Sequence, residues 1–346
     1  MRAKENFLKG SIYRSGGMSG FGLIEMMISI TIGLVLVAGL MGVLLSNISN
    51  SKTNEHEVEL QTNSRYAIDH LKRELRQAGF RGYTKSPPVT PTGTIDIGST
   101  ECGGAGNGFV GNLHQGIWGA IANPFKADCM AASAIKFSGV EVGDVLVIRR
   151  VADIAKVDCF VNPASSPAGI NTINSNTFYF RSTHAGGMLY RGSTPPSTVN
   201  INAPCGDFQL EEFVYYIGDD DTNPKIPALR RLRLNEAGTM QDEMVVNGIE
   251  KMHVQYGRNT NNGSSTSTQY FNADSITGSS TASDTPAWDE VNSVRLWLLA
   301  RSAKEEPGYK NTDTYSMGEA TAYDPPDDGY RRQLFSAVIQ LRNKSQ

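Results

Sequence analysis

The chain has 346 residues, of which 39% are hydrophobic, and a formal net charge of −3. This mildly acidic balance does not favour binding to nucleic acid or to anionic lipid. The 35 glycines, together with many Asn, Ser and Thr residues, indicate frequent turns and short strands and disfavour a helical bundle.

The first twenty residues have the character of a leader peptide. They carry four basic residues against one acidic residue and end in small residues. An ordinary secretory signal places its apolar segment before the small-residue junction. Here the junction comes first. We therefore expect cleavage after Gly20 to leave the apolar segment on the mature chain, with the basic leader on the cytoplasmic side of the membrane.

Residues 21–45 form an apolar run in which Glu25 is the only charged residue. As a helix rising about 1.5 Å per residue, this run would be about 37 Å long and would cross a hydrocarbon core of about 30 Å. A charge beside a membrane span is costly and points to a function. If the chain is cut after Gly20, Phe21 gains a free α-amine one helical turn from Glu25. The amine and the carboxylate could then pair within one chain or between neighbouring chains.

Residues 46–80 are predicted to continue this helix as an amphipathic half. From Glu55 to Ala78, apolar residues recur every three or four positions among charged ones. Gly79 follows as a C-cap, and Pro87-Pro88 prevents further helix. The prediction is one long helix whose first half faces lipid and whose second half lies on a globular head.

Residues 81–346 are predicted to form a periplasmic, β-rich head, which gives an α+β fold with the long helix packed on a mainly antiparallel sheet. Eight segments rich in β-branched and aromatic residues are predicted strands: Val145–Val151, Thr177–Arg181, Phe213–Ile217, Leu229–Leu234, Met244–Val246, Ile249–Tyr256, Val291–Ala300 and Leu334–Leu341. Asn247-Gly248 is a hairpin signal. Residues 257–286, rich in Gly, Ser, Thr and Asn, are predicted to be an exposed loop.

All four cysteines lie in the predicted periplasmic head: Cys102, Cys129, Cys159 and Cys205. An even number in an oxidising compartment indicates two disulfides, with three possible pairings. Sequential pairing, Cys102 with Cys129 and Cys159 with Cys205, closes the shorter loops and is preferred. A zinc site is disfavoured because no two cysteines have the close spacing of a metal knuckle.

The sequence offers no recognisable catalytic motif, and we predict neither catalytic residues nor a cofactor. No Gly-x-Ser-x-Gly nucleophile turn is present. The glycine-rich segment 103–108 lacks the Lys-Ser/Thr ending of a phosphate loop. Asp219-Asp220-Asp221-Thr222-Asn223 lacks the length and terminal Glu of an EF-hand, so a solvated turn is preferred over a calcium site.

The N-terminal pattern resembles the class III signal of type IV prepilins and type II secretion pseudopilins. The resemblance rests on Gly20 before the cut, Phe21 after it, Glu25 as the fifth mature residue and the uncharged run behind them. It implies that a prepilin peptidase cleaves after Gly20 and methylates the Phe21 amine. It also implies that Glu25 helps to register each incoming subunit in a filament. A plain signal anchor with a chance Glu is the competing interpretation.

Four stretches of the head are similar to PilW-type minor pilins: residues 71–83, 247–257, 288–301 and 330–343. This resemblance implies a minor pilin of the inner membrane, with a single span and a periplasmic head, that helps to initiate and cap a type IV pilus. Its implied partners are other minor pilins, the major pilin, a tip adhesin and the inner-membrane assembly platform. Two alternatives stay open: a J-type minor pseudopilin of type II secretion, and a tip adhesin that binds through residues 257–286 or the glycine-rich segment.

Overall fold

The computed structural model describes residues 20, 22–84, 113, 115–121, 143–158, 173–193, 204–261, 266–276 and 288–344. The chain divides into two compact units, Met1–Asn54 and Glu55–Gln346. The first unit contains the beginning of a long helix. The second contains the rest of that helix and all of the described strands.

Helix α1 covers Leu23–Gln77, as the apolar run and the amphipathic pattern together predict. It ends because Gly79 adopts the left-handed conformation, with φ of 74°. The Gly79 amide donates a hydrogen bond of 2.9 Å to the Arg149 carbonyl, so the chain leaves the helix directly against a strand. The predicted C-cap is therefore confirmed.

The described strands are β1 Ile117–Ala120, β2 Val145–Val151, β3 Val157–Asp158, β4 Phe178–Thr183, β5 Gly186–Arg191, β6 Gly206–Asp219, β7 Pro227–Leu234, β8 Met240–Asn247, β9 Ile249–Asn261, β10 Thr266–Asn272, β11 Ser293–Arg301 and β12 Arg332–Gln340. All eight predicted strands are confirmed. The sequence did not predict β1, β3, β5 or β10.

These strands form two antiparallel sheets. In the first sheet, the beginning of the long β6 pairs with β3 and β4, and β4 pairs with β5. The rest of β6 pairs with β2 on one side and β7 on the other, which extends the sheet to β1 and β8. The second sheet has the order β10-β9-β11-β12.

The main hydrophobic core joins the second half of α1 to both sheets. Leu71 and Leu75 of the helix are fully buried, as are Tyr215 of the first sheet and Met252 and Leu296 of the second. The residues that recur at helical spacing after Glu55 are therefore the ones that the core requires.

Two predictions about the head are wrong. Asn247-Gly248 does not close a hairpin, because β8 pairs with β7 in the first sheet and β9 pairs with β10 and β11 in the second. The dipeptide instead carries the chain from one sheet to the other, with Gly248 at φ of 78°. The predicted loop 257–286 is also wrong in part, since β9 runs to Asn261 and β10 covers Thr266–Asn272. Of its other residues, 273–276 directly follow β10, whereas 262–265 and 277–286 lie outside the described residues.

Candidate interaction surface

The first part of α1 presents a long apolar surface. Of the described residues, α1 alone is long and apolar enough, by length and composition, to cross a membrane. Its large apolar side chains are exposed, from Leu23 at 80% to Ile28 and Ile30 at 53%. A contiguous apolar surface of this size marks contact with lipid or with other proteins.

Two hydroxyl groups in this apolar part are satisfied by the helix itself. Ser29 Oγ donates to the Glu25 carbonyl at 2.8 Å, and Thr31 Oγ1 donates to the Ile28 carbonyl at 2.8 Å. In an apolar environment no water would satisfy them, so these internal bonds suit the helix to lipid or to a helix bundle.

Glu25 lies in the first turn of α1, and its amide donates to the Gly22 carbonyl at 3.0 Å. A carboxylate at this position is stabilised by the positive end of the helix dipole. Gly20 is described and exposed, whereas Phe21 lies outside the described residues. The pairing of Glu25 with the Phe21 amine therefore stays a prediction.

The second part of α1 is fixed to the head by a charged cluster. Arg150 of β2 lies 3.2 Å from Glu74 of the helix and 2.9 Å from Glu211 of β6. Burial, reinforced by Glu74 and Asp153, raises the pKa of Glu211, although Arg150 opposes this. One arginine thus connects the helix to two strands of the first sheet.

His70 of α1 contacts the same sheet. Its Nε2 lies 3.0 Å from the Tyr215 hydroxyl and 3.5 Å from Arg231 Nη1. Burial, followed by the charges of Arg231 and Arg73, lowers the pKa of His70 from 6.5 to about 4. The imidazole is therefore mostly neutral in the folded head above about pH 4.

The depressed pKa of His70 makes the stability of the head depend on pH. Between about pH 6.5 and pH 4 the unfolded chain takes up a proton at His70 that the folded head does not, so the free energy of unfolding falls as the pH falls through this window. Because the ring is partly exposed, we expect the loss to be on the order of 1 kcal/mol.

Replacing His70 with glutamine should remove this part of the pH dependence. Urea denaturation of the unsubstituted chain and of the His70→Gln variant, at pH 8 and at pH 4.5, measures the change in the free energy of unfolding. At pH 8 the imidazole is neutral in both states, so any difference there reports lost contacts alone. If the free energy of unfolding of the variant falls between pH 8 and pH 4.5 by as much as that of the unsubstituted chain, His70 is not the source of this pH dependence.

A second buried cluster connects the last strands. Arg332 of β12, with no side-chain exposure, places Nε 2.6 Å from Glu250 of β9 and Nη1 2.6 Å from Asp328. Arg301 of β11 lies 3.5 Å from the same Glu250. Although burial opposes it, the bonds to Asp328 and Glu250 raise the pKa of Arg332. Sequence reasoning missed this cluster. Glu250 and Arg332 give no local signal, because β9 and β12 carry other charged or polar residues as well.

The acidic segment 219–223 forms the turn between β6 and β7. The carboxylate of Asp220 accepts bonds from the amides of Thr222 and Asn223 at 2.8 and 3.0 Å. Arg230 reaches the turn through the Asp219 carbonyl at 2.8 Å and the Asp221 carboxylate at 3.0 Å. Asp220 therefore stabilises the turn, and Asp221 pairs with Arg230. Across the described ranges, no group of three or more His, Cys, Asp or Glu side chains is placed to hold a metal.

Of the predicted disulfide residues, the structure describes only Cys205. Its side chain is 3% exposed and is disulfide-bonded. Cys102, Cys129 and Cys159 lie outside the described residues, as do residues 1–19 and the glycine-rich segment 103–108. The sequential pairing therefore stays a prediction.

Comparison with known proteins bears on the strand-rich part of the chain. Residues 214–343 match the family model described as type IV pilus-assembly protein W, PilW. No curated protein matches the chain. Among solved structures, a type IV-like pilin from Thermus thermophilus covers 83% of this chain and 98% of that chain, at 13% sequence identity and a TM-score of 0.34.

The family match confirms the predicted resemblance. It begins within β6, ends just after β12 and includes the whole second sheet, with three of the four stretches that the sequence singled out. The exposed apolar part of α1 precedes it. Over residues 214–343, which are less than half of its length, the chain is therefore similar to the family of type IV pilus-assembly protein W.

Proposed function

We propose that this chain is a minor pilin that initiates assembly of a type IV pilus and occupies its tip complex. The match of residues 214–343 to a family described by its part in pilus assembly carries the proposal. The exposed apolar part of α1 supports it, because a subunit that joins a filament needs a helix able to exchange lipid for other helices. The mechanism is assembly rather than catalysis.

Assembly would proceed through two surfaces. Before extraction, lipid of the inner membrane covers residues 21–45, and the head projects into the periplasm. In the extracellular pilus, the helices of other pilins replace the lipid. The head selects the neighbours, which we propose are other minor pilins, the major pilin and a tip adhesin, with the inner-membrane platform driving extraction. Twitching motility, adhesion or DNA uptake would follow from the assembled pilus.

We further propose that a prepilin peptidase matures the chain by cutting after Gly20 and methylating the Phe21 amine. The order of basic leader, small-residue junction and apolar run supports this, together with Glu25 as the fifth mature residue. The cysteines of the head would form two disulfides in the periplasm, each contributing about 3 kcal/mol to stability by constraining the unfolded chain.

Deleting the gene tests the assembly role. We expect surface pili, counted by electron microscopy, to be lost or strongly reduced and to return when the full chain is supplied from a plasmid. A strain that lacks an unrelated surface protein is the matched control.

Two other outcomes would overturn the proposal. Normal pili with a loss of type II exoprotein secretion would indicate a J-type minor pseudopilin. Normal pili with a loss of surface attachment would indicate an adhesin whose role is confined to binding.

A further inference from the structure

Strand β12 forms a long and regular edge of the second sheet. It pairs with β11 over nine consecutive residues, from Ser293 opposite Gln340 to Arg301 opposite Arg332, without a bulge. The neighbouring pair of β9 and β11 does contain a register shift. Within the described part of the chain, no strand pairs with the other side of β12.

The hydrogen bonds at the two ends of β12 show which groups point away from β11. Leu341 donates to the Asn292 carbonyl at 2.8 Å, and Ser302 donates to the Arg331 carbonyl at 2.9 Å. Backbone groups alternate sides along an antiparallel strand, so odd-numbered residues face β11. The even-numbered residues therefore direct their N–H and C=O groups outward. These residues are Arg332, Leu334, Ser336, Val338 and Gln340.

Natural proteins usually protect such edges with charges, prolines or bulges. The edge strand β8 of the first sheet, which is eight residues long, carries the charged residues Asp242 and Glu243. By contrast, β12 has neither a charge nor a proline from residue 333 to residue 340. Val338 on this edge is 62% exposed. The opposite edge of the same sheet, β10, is shorter at seven residues. The unprotected edge of β12 is thus suited to pairing with another strand.

The sequence of β12 is self-complementary in an antiparallel register centred on Ser336. Two copies of β12 can form backbone hydrogen bonds only if the outward-facing N–H and C=O groups of one copy lie opposite those of the other. The register centred on Ser336 meets this condition. Each Leu334 lies opposite a Val338 of the second copy, and each Phe335 lies opposite an Ala337 on the other face. From residue 334 to residue 338, apolar residues therefore meet apolar residues. Beyond them Gln333 lies opposite Ile339 and Arg332 opposite Gln340, so no like charges face each other.

We propose that two copies of this chain associate through their β12 strands, which joins their second sheets into one continuous eight-stranded sheet. The contact is isologous, with the two-fold axis passing through the Ser336 pair. The strand contact by itself is small, and isolated strand pairs are marginal in water. The dimer therefore forms where the apolar part of α1 concentrates both copies in one membrane, which raises their effective concentration.

A cysteine placed at the two-fold axis tests the register. In the full-length chain, Ser336→Cys should give a covalent dimer of twice the monomer mass under mild oxidation in cell membranes. The Cα atoms of such a hydrogen-bonded pair lie about 5.5 Å apart, within the range for a disulfide. The unsubstituted chain, with its own cysteines, gives the background.

A second cysteine on the same edge is the matched control. Gln340→Cys is also exposed and outward-facing, but in this register it lies opposite Arg332, eight residues from the Gln340 of the second copy. At about 3.4 Å per residue the two thiols would be about 27 Å apart and should not react. Equal dimer formation from Ser336→Cys and Gln340→Cys would indicate random collision and overturn the proposal.

Backbone pairing is tested by adding a second substitution to Ser336→Cys. Val338→Pro removes an outward N–H while leaving the ladder with β11 intact, so it should abolish the cross-link. Val338→Thr changes the side chain but keeps the N–H, and it should retain the cross-link. Melting curves of both double variants exclude unfolding as the cause.

Several results would overturn the inference. They are a cross-link that survives Val338→Pro, the absence of any cross-link from Ser336→Cys, and an adduct whose mass shows that a different protein occupies the edge. The cross-link is measured without counting pili. Its failure can therefore be distinguished from a failure of the proposed role in pilus assembly.

Discussion

Replacing Glu250 with alanine is expected to lower the free energy of unfolding of the head by about 3–5 kcal/mol. Glu250 is 3% exposed and is the shared partner of Arg332 and Arg301. Its removal leaves Arg332 buried, with one of its two carboxylate partners missing. Equilibrium denaturation in urea at neutral pH measures the loss.

The matched control is an exposed ion pair of the same sheet. Glu290 pairs with Arg258 of β9 at 2.8 Å, with side-chain exposures of 42% and 30%. Glu290→Ala should cost no more than about 1 kcal/mol, since solvent screens exposed pairs. Equal losses from Glu250→Ala and Glu290→Ala would show that the buried cluster has no special role.

Replacing Glu25 with alanine is expected to leave cleavage after Gly20 and membrane insertion largely intact and to impair incorporation into pili. Near the cytoplasmic interface, water and headgroups solvate the carboxylate. When the subunit enters a filament that solvation is lost, and the Phe21 amine is the cation that the predicted span supplies. A helix that carries an unpaired carboxylate, or an unpaired amine, is then costly to bury.

A deletion strain that carries Glu25→Ala measures this effect, with Glu25→Gln as the companion variant. Glutamine keeps the size and polarity of the side chain but not its charge, so it should fail in the same way. Immunoblots of sheared fibres report incorporation. Mass spectrometry of the membrane-bound chain reports whether the chain begins at Phe21 and whether the Phe21 amine is methylated. A plain signal anchor with a chance Glu predicts normal incorporation of both variants. That result would end the pairing argument.

The strands that the sequence predicted and those that it missed differ in their side chains. The segments that became β2 and β6 are rich in β-branched and aromatic residues, and β7 carries leucines, because all three supply buried side chains. The missed strands are short or lie beside turn-forming residues: β1 has four residues and β3 has two. Strand β5 begins with Gly186 and Gly187, and β10 follows the turn-forming residues 261–265. Such strands are held by backbone pairing with a neighbour, and their own composition does not reveal it.

Local sequence patterns also could not predict which residues distant in sequence contact each other. The Asn247-Gly248 pair has the chemistry of a hairpin turn, yet Asn247 accepts a bond from Asn63 of α1 at 2.9 Å, and Gly248 accepts one from Arg301 of β11 at 2.8 Å. Glu250 and Arg332 are 82 residues apart in sequence. By contrast, the predicted processing site rests on adjacent residues, which is why the sequence alone could propose it.

The contact between α1 and residues near Asn343 has a consequence for folding during synthesis. Asn343 donates to the carbonyls of Gln77 and Ala78 at 3.2 and 3.3 Å, across 266 and 265 residues of sequence. Ile339 and Leu341 share the core with Leu71 and Leu75 of the helix. At a synthesis rate of about 5–20 residues per second, the helix waits roughly 13 to 53 s before its last partner has been made. Contacts so distant in sequence also slow folding itself. The apolar stripe of the helix is therefore exposed until the final strand has been made, and a holding chaperone would protect it during that interval.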